Sequence, residues 1–147
     1  MLANTIELLS EYSKDISELN LSNKNIDGLL DLFNFNSLIK LDCSSTKIKS
    51  LNNLPNSLIE LYCSYTNITS LDLLPTSLIK LDCSHNTEIT SLNLLPNSLI
   101  KLDCSHNTEI TSLNNLPNSL IKLDCYYTKI INIECIKKSN PKLKIIN

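Results

Sequence analysis

The chain has 147 residues, of which 42% are hydrophobic and 19% are charged, so it can form the core of one domain and is too apolar for a disordered chain. Its net charge is −2 and all 13 basic residues are lysine, which argues against nucleic-acid binding because arginine makes the bidentate contacts to phosphate and guanine. No apolar run approaches the ~20 residues that span a bilayer, and the first residues lack the pattern of a signal peptide. We therefore expect a cytoplasmic protein without a membrane contact, and delivery into a host cell by a signal-independent route stays open.

The first element in chain order is a predicted short helix. Asn4 followed three residues later by Glu7 resembles a capping box. The apolar residues of this segment would share one helix face: Ile6, Leu8, Leu9 and Tyr12. We predict a helix over residues 4–13 that covers the core of the next segment, within a capping region of residues 1–15.

Residues 16–147 are built from one repeated unit. Residues 78–98 and 99–119 differ at a single position, Leu94 against Asn115. Further copies begin at Leu38, Leu58 and Leu120, and weaker ones occupy residues 16–37 and 141–147. A unit of about 20 residues cannot bury its apolar positions alone, so neighbouring units must stack. The sequence predicts a single solenoid domain over residues 16–147, with about six repeats and a terminal strand.

Each unit begins with a short strand, because its apolar residues alternate with polar ones. The apolar and turn positions of the second unit are Leu38, Leu41, Cys43, Thr46, Ile48, Leu51, Leu54 and Pro55. Strands are predicted near residues 19–21, 40–43, 60–63, 80–83, 101–104, 122–125 and 143–145, with Pro141 beginning the last one. The return path of each unit contains proline and is too short for a long helix, so we predict an extended or turn-like connection.

The order Leu-x-x-Leu-x-Cys-x-x-Asn, seen from Leu78 to Asn86, resembles the leucine-rich-repeat signature with cysteine in place of the third leucine. The 20- to 21-residue period and the Leu-Pro-x-Ser-Leu junction resemble the shortest repeat class, which occurs in secreted bacterial effectors and large DNA viruses. The resemblance covers residues 16–147. It implies an α/β-type, mostly β solenoid: a horseshoe with a parallel sheet on its concave face and an irregular convex side. It also implies that Asn86 and Asn107 hydrogen-bond the backbone where the chain leaves the strand.

Six cysteines raise the question of disulfides or zinc. Five of them occupy the same inward strand position of successive units: Cys43, Cys63, Cys83, Cys104 and Cys125. No pair has the close spacing of a zinc site, and buried cysteine behaves as a small apolar residue. We predict a core ladder of reduced thiols, with a single disulfide between adjacent strands left open. Cys135 is expected to face inward as well.

The only two histidines, His85 and His106, lie on neighbouring repeats near Asp82 and Asp103. A weak metal site and simple duplication of one repeat are both open interpretations of this cluster. No Ser-His-Asp or Cys-His arrangement can be argued from the sequence. We therefore predict that the chain is not an enzyme and has no catalytic, cofactor-binding or metal-binding residues.

The outward strand positions would form the concave face. The predicted partner-binding residues on it are Lys40, Asp42, Glu60, Tyr62, Tyr65, Lys80, Asp82, His85, Lys101, Asp103, His106, Lys122, Asp124, Tyr126 and Tyr127. The four tyrosines among them break the repeat pattern, and tyrosine is enriched at interfaces. The leading hypothesis is a protein–protein interaction scaffold without catalysis. The alternative is a generic surface on which the lysine and aspartate rows neutralise each other.

Two further functions stay open. By analogy with effectors and viral relatives, the chain could be an effector or adaptor subunit acting in trans in a ubiquitin-ligase or host-interaction pathway. It could also be a structural surface protein that self-assembles through its C-terminal edge, where Ile145 and Ile146 lie. Lys142 and Lys144 oppose that edge pairing, so we expect a monomer.

Overall fold

The computed structural model describes residues 2–131 and 133–147, and in residues 2–4 and 6 it describes the backbone only. Two helices lie in this part of the chain: α1 (Leu2–Ser10) and α2 (Ile133–Ser139). The strands are β1 (Glu18–Asn20), β2 (Asp27–Asp31), β3 (Lys40–Asp42), β4 (Lys47–Asn53), β5 (Glu60–Tyr62), β6 (Lys80–Asp82), β7 (Lys101–Asp103), β8 (Lys122–Asp124) and β9 (Lys144–Ile146). Neither helix is long and apolar enough to cross a membrane.

One strand from each repeat joins a seven-stranded parallel sheet in the order β1-β3-β5-β6-β7-β8-β9. The strands pair in strict register, so that Leu19, Leu41 and Leu61 lie side by side and the series continues to Ile145. The middle residue of each of the first six strands of this sheet is buried, and the two residues that flank it point away from the core. The predicted strands are confirmed, with boundaries that differ by a residue or two.

The core is a set of parallel columns in which each repeat places the same residue on top of its predecessor. Ile48, Ile68, Ile89 and Ile110 form one such column and are fully buried. A buried side chain of this size contributes roughly 1.5–3 kcal/mol relative to an exposed one. Because that contribution arises between repeats, the stacking of neighbours holds the solenoid together.

The Leu-Pro-x-Ser-Leu junction returns the chain to the next strand. In the second repeat, the Pro55 carbonyl accepts a hydrogen bond from the Leu58 N–H at 3.1 Å. The Ser57 hydroxyl donates to the carbonyl of Leu38 at 2.7 Å, and Ser77, Ser98 and Ser119 make the equivalent contact in later repeats. Proline fixes the turn, and the serine ties the end of each repeat to the residue that begins it.

The convex side is mostly irregular, as the sequence predicts, but it contains one pair of strands that the sequence did not. β2 and β4 form a two-stranded parallel sheet whose register shifts next to Gly28. Gly28 has a φ of +84°, which an L residue adopts only with strain. The single glycine of the chain therefore lies at the irregularity of this small sheet.

The N-terminal helix is confirmed, although its bounds differ from the predicted ones. α1 begins at Leu2, so Asn4 lies inside the first turn and the predicted capping box is wrong. Leu9 is buried, and Leu8 and Tyr12 pack against the core beside it. The side chain of Ile6 lies outside the described residues.

Three expectations for the last repeat are corrected. The connection contains α2, which the sequence did not predict, and β9 begins at Lys144 rather than at Pro141. Cys135 lies on α2 and is exposed, because the side chains that this helix packs against the core are Ile133 and Ile136. Helical geometry therefore places Ile133 and Ile136, three residues apart, on one face and turns Cys135 away from it.

Candidate functional site

We call the outward-pointing residues of the seven-stranded sheet, together with the residues that follow each strand, the sheet face. The first row along it is Glu18, Lys40, Glu60, Lys80, Lys101 and Lys122, each at the start of its strand. Among the described residues, one ion pair lies within this row, from Lys40 Nζ to Glu18 Oε2 at 3.7 Å. Lys101 and Lys122 are exposed. The predicted lysine row therefore exists, and its C-terminal members face solvent.

The second row ends the strands and contains Asp42, Asp82, Asp103 and Asp124. In each case one carboxylate oxygen accepts the backbone N–H two residues later, at 3.0–3.2 Å. The hydroxyls of Ser84 and Ser105 donate to the same oxygens at 2.8 and 2.7 Å. The aspartates thus close the turn after the strand, a structural role that the sequence reasoning missed. The recurring Asp-x-Ser spacing, typical of Asx turns, was the available signal.

Tyr62 takes the aspartate position in the third repeat and joins two charged neighbours. Its hydroxyl donates to Glu60 Oε2 at 2.8 Å and accepts from Lys80 Nζ at 2.6 Å. The Lys80 ammonium also lies 4.6 Å from the centre of the Tyr62 ring. The hydrogen bond that Lys80 donates to this tyrosine raises the pKa of Lys80, so the ammonium stays charged. Tyr62 is held in place rather than free to reorient.

Four rings stack at the carboxyl end of the strands, and we call Tyr65, His85, His106 and Tyr127 the ring ladder. Successive ring centres are 4.0, 4.1 and 5.0 Å apart, and successive planes differ by 10–12°. Tyr126 packs edge-on against both of the last two rings. Residues 20 or 21 positions apart in sequence are thereby joined into one continuous surface.

Every ladder residue has a left-handed backbone, with φ between 54° and 58°. This conformation is uncommon outside glycine and is least expected for bulky side chains. The equivalent residues of the first two repeats, Asn23 and Ser45, have φ of 59° and 56°. The turn therefore requires the left-handed conformation in every repeat, but it does not require a ring.

The two histidines of the ladder influence one another. Tyr65 Oη lies 3.0 Å from His85 Nε2, within hydrogen-bond distance. Burial and the neighbouring His106 lower the pKa of His85, and the carboxylates of Asp103 and Asp82 oppose that shift. The neutral imidazole is the favoured form of His85 near pH 7. Among the described residues, no three His, Cys, Asp or Glu side chains cluster as a metal site would require.

The five inward cysteines form a ladder in the core. Each thiol donates to the carbonyl of the residue that ends the next strand, at 3.3–3.5 Å. All five are unpaired and buried, which agrees with the predicted column of reduced thiols. Burial raises the pKa of Cys43 to about 12 and that of Cys125 to about 11. These thiols are poor nucleophiles.

The asparagine position behaves as the resemblance implies. Asn86 and Asn107 are buried, and each side-chain amide donates to the carbonyl of its own strand end and to that of the preceding repeat. Their oxygens accept N–H groups of the preceding repeat, at Thr66 and Asn86, both at 2.7 Å. Thr46 at this position makes one bond, to the carbonyl of Cys43 at 2.7 Å. The Thr66 hydroxyl lies 3.0 Å from the carbonyl of Cys63 and 2.8 Å from Oδ1 of Asn86 in the next repeat. The buried amides therefore bond to the preceding repeat, whereas threonine contacts a neighbouring repeat only where an asparagine follows it.

A shallow depression of about 230 Å³ lies at the centre of the sheet face. It is lined by Tyr62, by Lys80, Lys101 and Lys122, and by the aspartates beside them. Small-molecule sites are usually larger, at roughly 300–1,000 Å³, and enclose most of the ligand. A broad, shallow and charged surface is more typical of contacts with a macromolecule.

The fold defines a class of protein. A solenoid whose repeats each add one short parallel strand, a buried asparagine or threonine turn and a proline-containing return is the leucine-rich-repeat architecture. The chain is a leucine-rich-repeat protein, and it is similar to the repeat regions of bacterial effectors.

Three solved structures illustrate this similarity. The leucine-rich-repeat domain of a Shigella effector is 29% identical over 86% of this chain and 55% of its own, with a TM-score of 0.68. YopM from Yersinia enterocolitica is 28% identical over 88% of this chain and 32% of its own, with a TM-score of 0.68. The functional domain of InlJ from Listeria monocytogenes, which includes a cysteine ladder, is 34% identical over 88% and 29%, with a TM-score of 0.69.

The chain thus spans between 29% and 55% of the length of these three proteins. No protein-family model matches it, and no curated protein sequence matches it significantly.

Proposed function

We propose that this chain is a non-catalytic protein-interaction scaffold that binds a protein partner through its sheet face, the concave side of the horseshoe. The ring ladder is the observation that carries this proposal. Two of its members, Tyr65 and Tyr127, are more than half exposed. Solvent-exposed aromatic rings supply the contact area that protein interfaces use.

The ladder is not needed to build the turn. Asn23 and Ser45 adopt the same backbone conformation with small polar side chains. A tyrosine in the left-handed region is strained, whereas asparagine is tolerated there. Rings at four successive repeats are therefore better explained by recognition than by folding.

The absence of catalysis is part of the proposal. The buried thiols are held protonated by burial, as for Cys43 and Cys125. His85 lies against Tyr65 and His106 instead of beside a nucleophile activated by a base. The six cysteines are free thiols, which fits a reducing compartment, so we propose that the protein acts in the cytoplasm.

The test requires a variant that removes the tyrosine rings and keeps the fold. Each tyrosine of the sheet face can be replaced by the residue that other repeats carry at its position, which gives Tyr62→Asp, Tyr65→Ser, Tyr126→Ser and Tyr127→Ser. A matched control replaces two exposed leucines away from the sheet strands, Leu73→Asn and Leu94→Asn, with the residue of the other repeats.

Proximity labelling in the native host would identify candidate partners, and the affinity of each purified candidate would then be measured. We expect the tyrosine variant to bind at least ~10-fold more weakly, equivalent to about 1.4 kcal/mol, and the leucine variant to bind as the wild type does. A partner that is lost with the leucine variant and kept with the tyrosine variant would refute the proposed face.

A second candidate function is that of an effector or adaptor acting on host proteins. Its support is the 29% identity to the repeat domain of a Shigella effector over 86% of this chain. Under this proposal, the labelled partners come from an infected host cell, and any ubiquitin ligase acts in trans. A ubiquitin-transfer assay with this chain alone should show no product, and product formation would contradict the non-catalytic assignment.

One observation supports the alternative of self-association through the C-terminal edge, and another opposes it. β9 is the last strand of the sheet, and Ile146 on it is 45% exposed. The charged Lys144 on the same strand opposes edge pairing, so we propose a monomer. Light scattering at rising concentration should give a constant mass near 16.5 kDa. A mass that grows with concentration would favour the structural alternative.

A further inference from the structure

The two ends of the ring ladder differ from its middle. His85 and His106 are covered on both faces by neighbouring rings and are only partly exposed. The terminal rings, Tyr65 and Tyr127, are stacked on one face and are 57% and 62% exposed. Tyr65 therefore presents one open aromatic face, whereas Tyr126 also packs edge-on against Tyr127.

The open face of Tyr65 points along the row toward the second repeat. Ser45 occupies the equivalent position there, with the same left-handed backbone. Its N–H bonds to the Ser64 carbonyl at 2.8 Å just as the Tyr65 N–H bonds to Ser84, so the two repeats are in register. The serine side chain is too short to fill the space that a ring would occupy. The ladder is thus interrupted at this repeat.

Asn23 forms the far side of this interruption, again with a left-handed backbone and an exposed side chain. Two strand spacings, about 9–10 Å, separate its position from that of Tyr65. A planar group needs about 3.5–4 Å of contact distance on each side. The gap above Ser45 therefore has room for one planar group between the Tyr65 ring and position 23 of the first repeat.

The gap lies in the acidic part of the solenoid, which favours a cation. Residues 16–77 carry six carboxylates against four ammonium groups, those of Lys24, Lys40, Lys47 and Lys49. Residues 78–147 carry six carboxylates against eight ammonium groups. Asp42 lies three residues before Ser45, and only one of its oxygens accepts the Ser44 N–H at 3.0 Å. The gap therefore lies at the acidic end of the solenoid.

We propose that the gap above Ser45 binds an arginine side chain of the protein partner, with its guanidinium stacked on the open face of Tyr65. A guanidinium is planar and weakly hydrated, so it stacks on a tyrosine better than an ammonium does. The occupant comes from another protein, because this chain contains no arginine and a second copy cannot supply one. This inference rests on the proposed binding role of the sheet face and names the chemistry of one contact within it.

The test uses the full chain with isotope-labelled tyrosine rings and three small probes: the N-acetyl amides of arginine, lysine and tyrosine. We expect the arginine probe to shift the ring resonances of Tyr65 with an apparent affinity about two- to five-fold higher than the lysine probe. Tyr127 should discriminate less, because Lys122 and Lys144 lie on the strands next to it. The tyrosine probe should bind Tyr65 more weakly than arginine, since it carries no charge.

Two substitutions at position 45 distinguish binding of the probe in the gap from its binding elsewhere on the surface. Ser45→Tyr adds a fifth ring to the row and should abolish the shift of Tyr65 with arginine. Ser45→Ala keeps the gap open and should preserve it. If Ser45→Tyr does not fold, as judged by circular dichroism, Tyr65→Ser supplies the same comparison, with loss of arginine binding as the expected result.

Equal responses to arginine and lysine, a stronger response to the tyrosine probe, no response to any probe, or an unchanged response in Ser45→Tyr would each overturn the inference. The titration needs no protein partner. Its failure therefore leaves the affinity test of the sheet face intact, and failure of that test leaves the arginine titration intact.

Discussion

The buried amide of Asn107 makes a sharp prediction about stability, because the side chain joins three backbone groups. It donates to the carbonyls of Cys83 and Cys104 at 2.9 and 3.0 Å, and it accepts the Asn86 N–H at 2.7 Å. Each such bond contributes about 1 kcal/mol net, and a buried N–H left without a partner costs about 1–3 kcal/mol. Asn107→Ala should therefore lower the free energy of unfolding by about 3–4 kcal/mol.

Threonine offers an internal comparison, because the chain uses it at the same position in other repeats. Thr46 bonds its own strand-end carbonyl at 2.7 Å, so a threonine at position 107 should keep the bond to Cys104. Threonine has only one hydroxyl donor, so it cannot also bond the Cys83 carbonyl of the preceding repeat. We expect Asn107→Thr to lower the free energy of unfolding by about 2 kcal/mol, less than the alanine variant does.

Urea unfolding followed by circular dichroism measures both variants, with the free energy taken from the midpoint and slope of the transition. Asn97→Ala removes an exposed asparagine and should change stability by no more than ~0.5 kcal/mol. The reasoning is refuted if Asn107→Ala costs less than about 1 kcal/mol, or if threonine is as damaging as alanine. Either result would mean that the amide does not hold neighbouring repeats together.

The remaining predictions concern thiols, pH and the glycine. In the native protein a thiol reagent at neutral pH should modify Cys135 alone, whereas all six cysteines should react in denaturant. Mass spectrometry counts the modified cysteines. Rapid labelling of Cys43 in the native protein would contradict its burial. The pKa of His85 is lower in the folded protein than its unfolded value near 6.5, so the unfolded chain binds the proton more readily and stability should fall as the pH drops through 6.5. Urea midpoints at pH 7.5, 6.5 and 5.5 should show this decline in the wild type and a smaller decline in His85→Ser. If the midpoints of the two proteins fall equally with pH, His85 is not the source of the decline. Gly28→Ala meets no atom within 4 Å but must adopt a φ of +84°, so a loss of about 1–2 kcal/mol from backbone strain is expected in the same urea assay, and no loss would show that the backbone relaxes there.

The architecture was accessible from the sequence because the repeat leaves little freedom. Leu41, Leu61 and Leu81 recur at 20-residue intervals, and a chain that buries all three must bring their strands side by side. The inward alternation within each strand likewise placed the five cysteines in the core. Period and alternation are both one-dimensional patterns, so the strands, the parallel sheet and the thiol ladder could be predicted.

Departures from the repeat were harder to predict. The segment after Lys129 breaks the pattern, and only its packing against the last repeat decides that Ile133–Ser139 is helical and that Cys135 faces outward. The β2–β4 pairing depends in the same way on contacts between adjacent returns. Local sequence is a weak guide where tertiary contacts choose between a short helix, a strand and a turn.

The sequence alone determined the solenoid, since its period dictates which residues stack, and it identified the tyrosines and histidines as departures from the repeat. Only the tertiary structure decided that Tyr65, His85, His106 and Tyr127 form one ladder with a gap at Ser45. The physical reason is that stacking depends on the left-handed turn and on the direction of each side chain. The sequence of any single repeat encodes neither until its neighbours are in place.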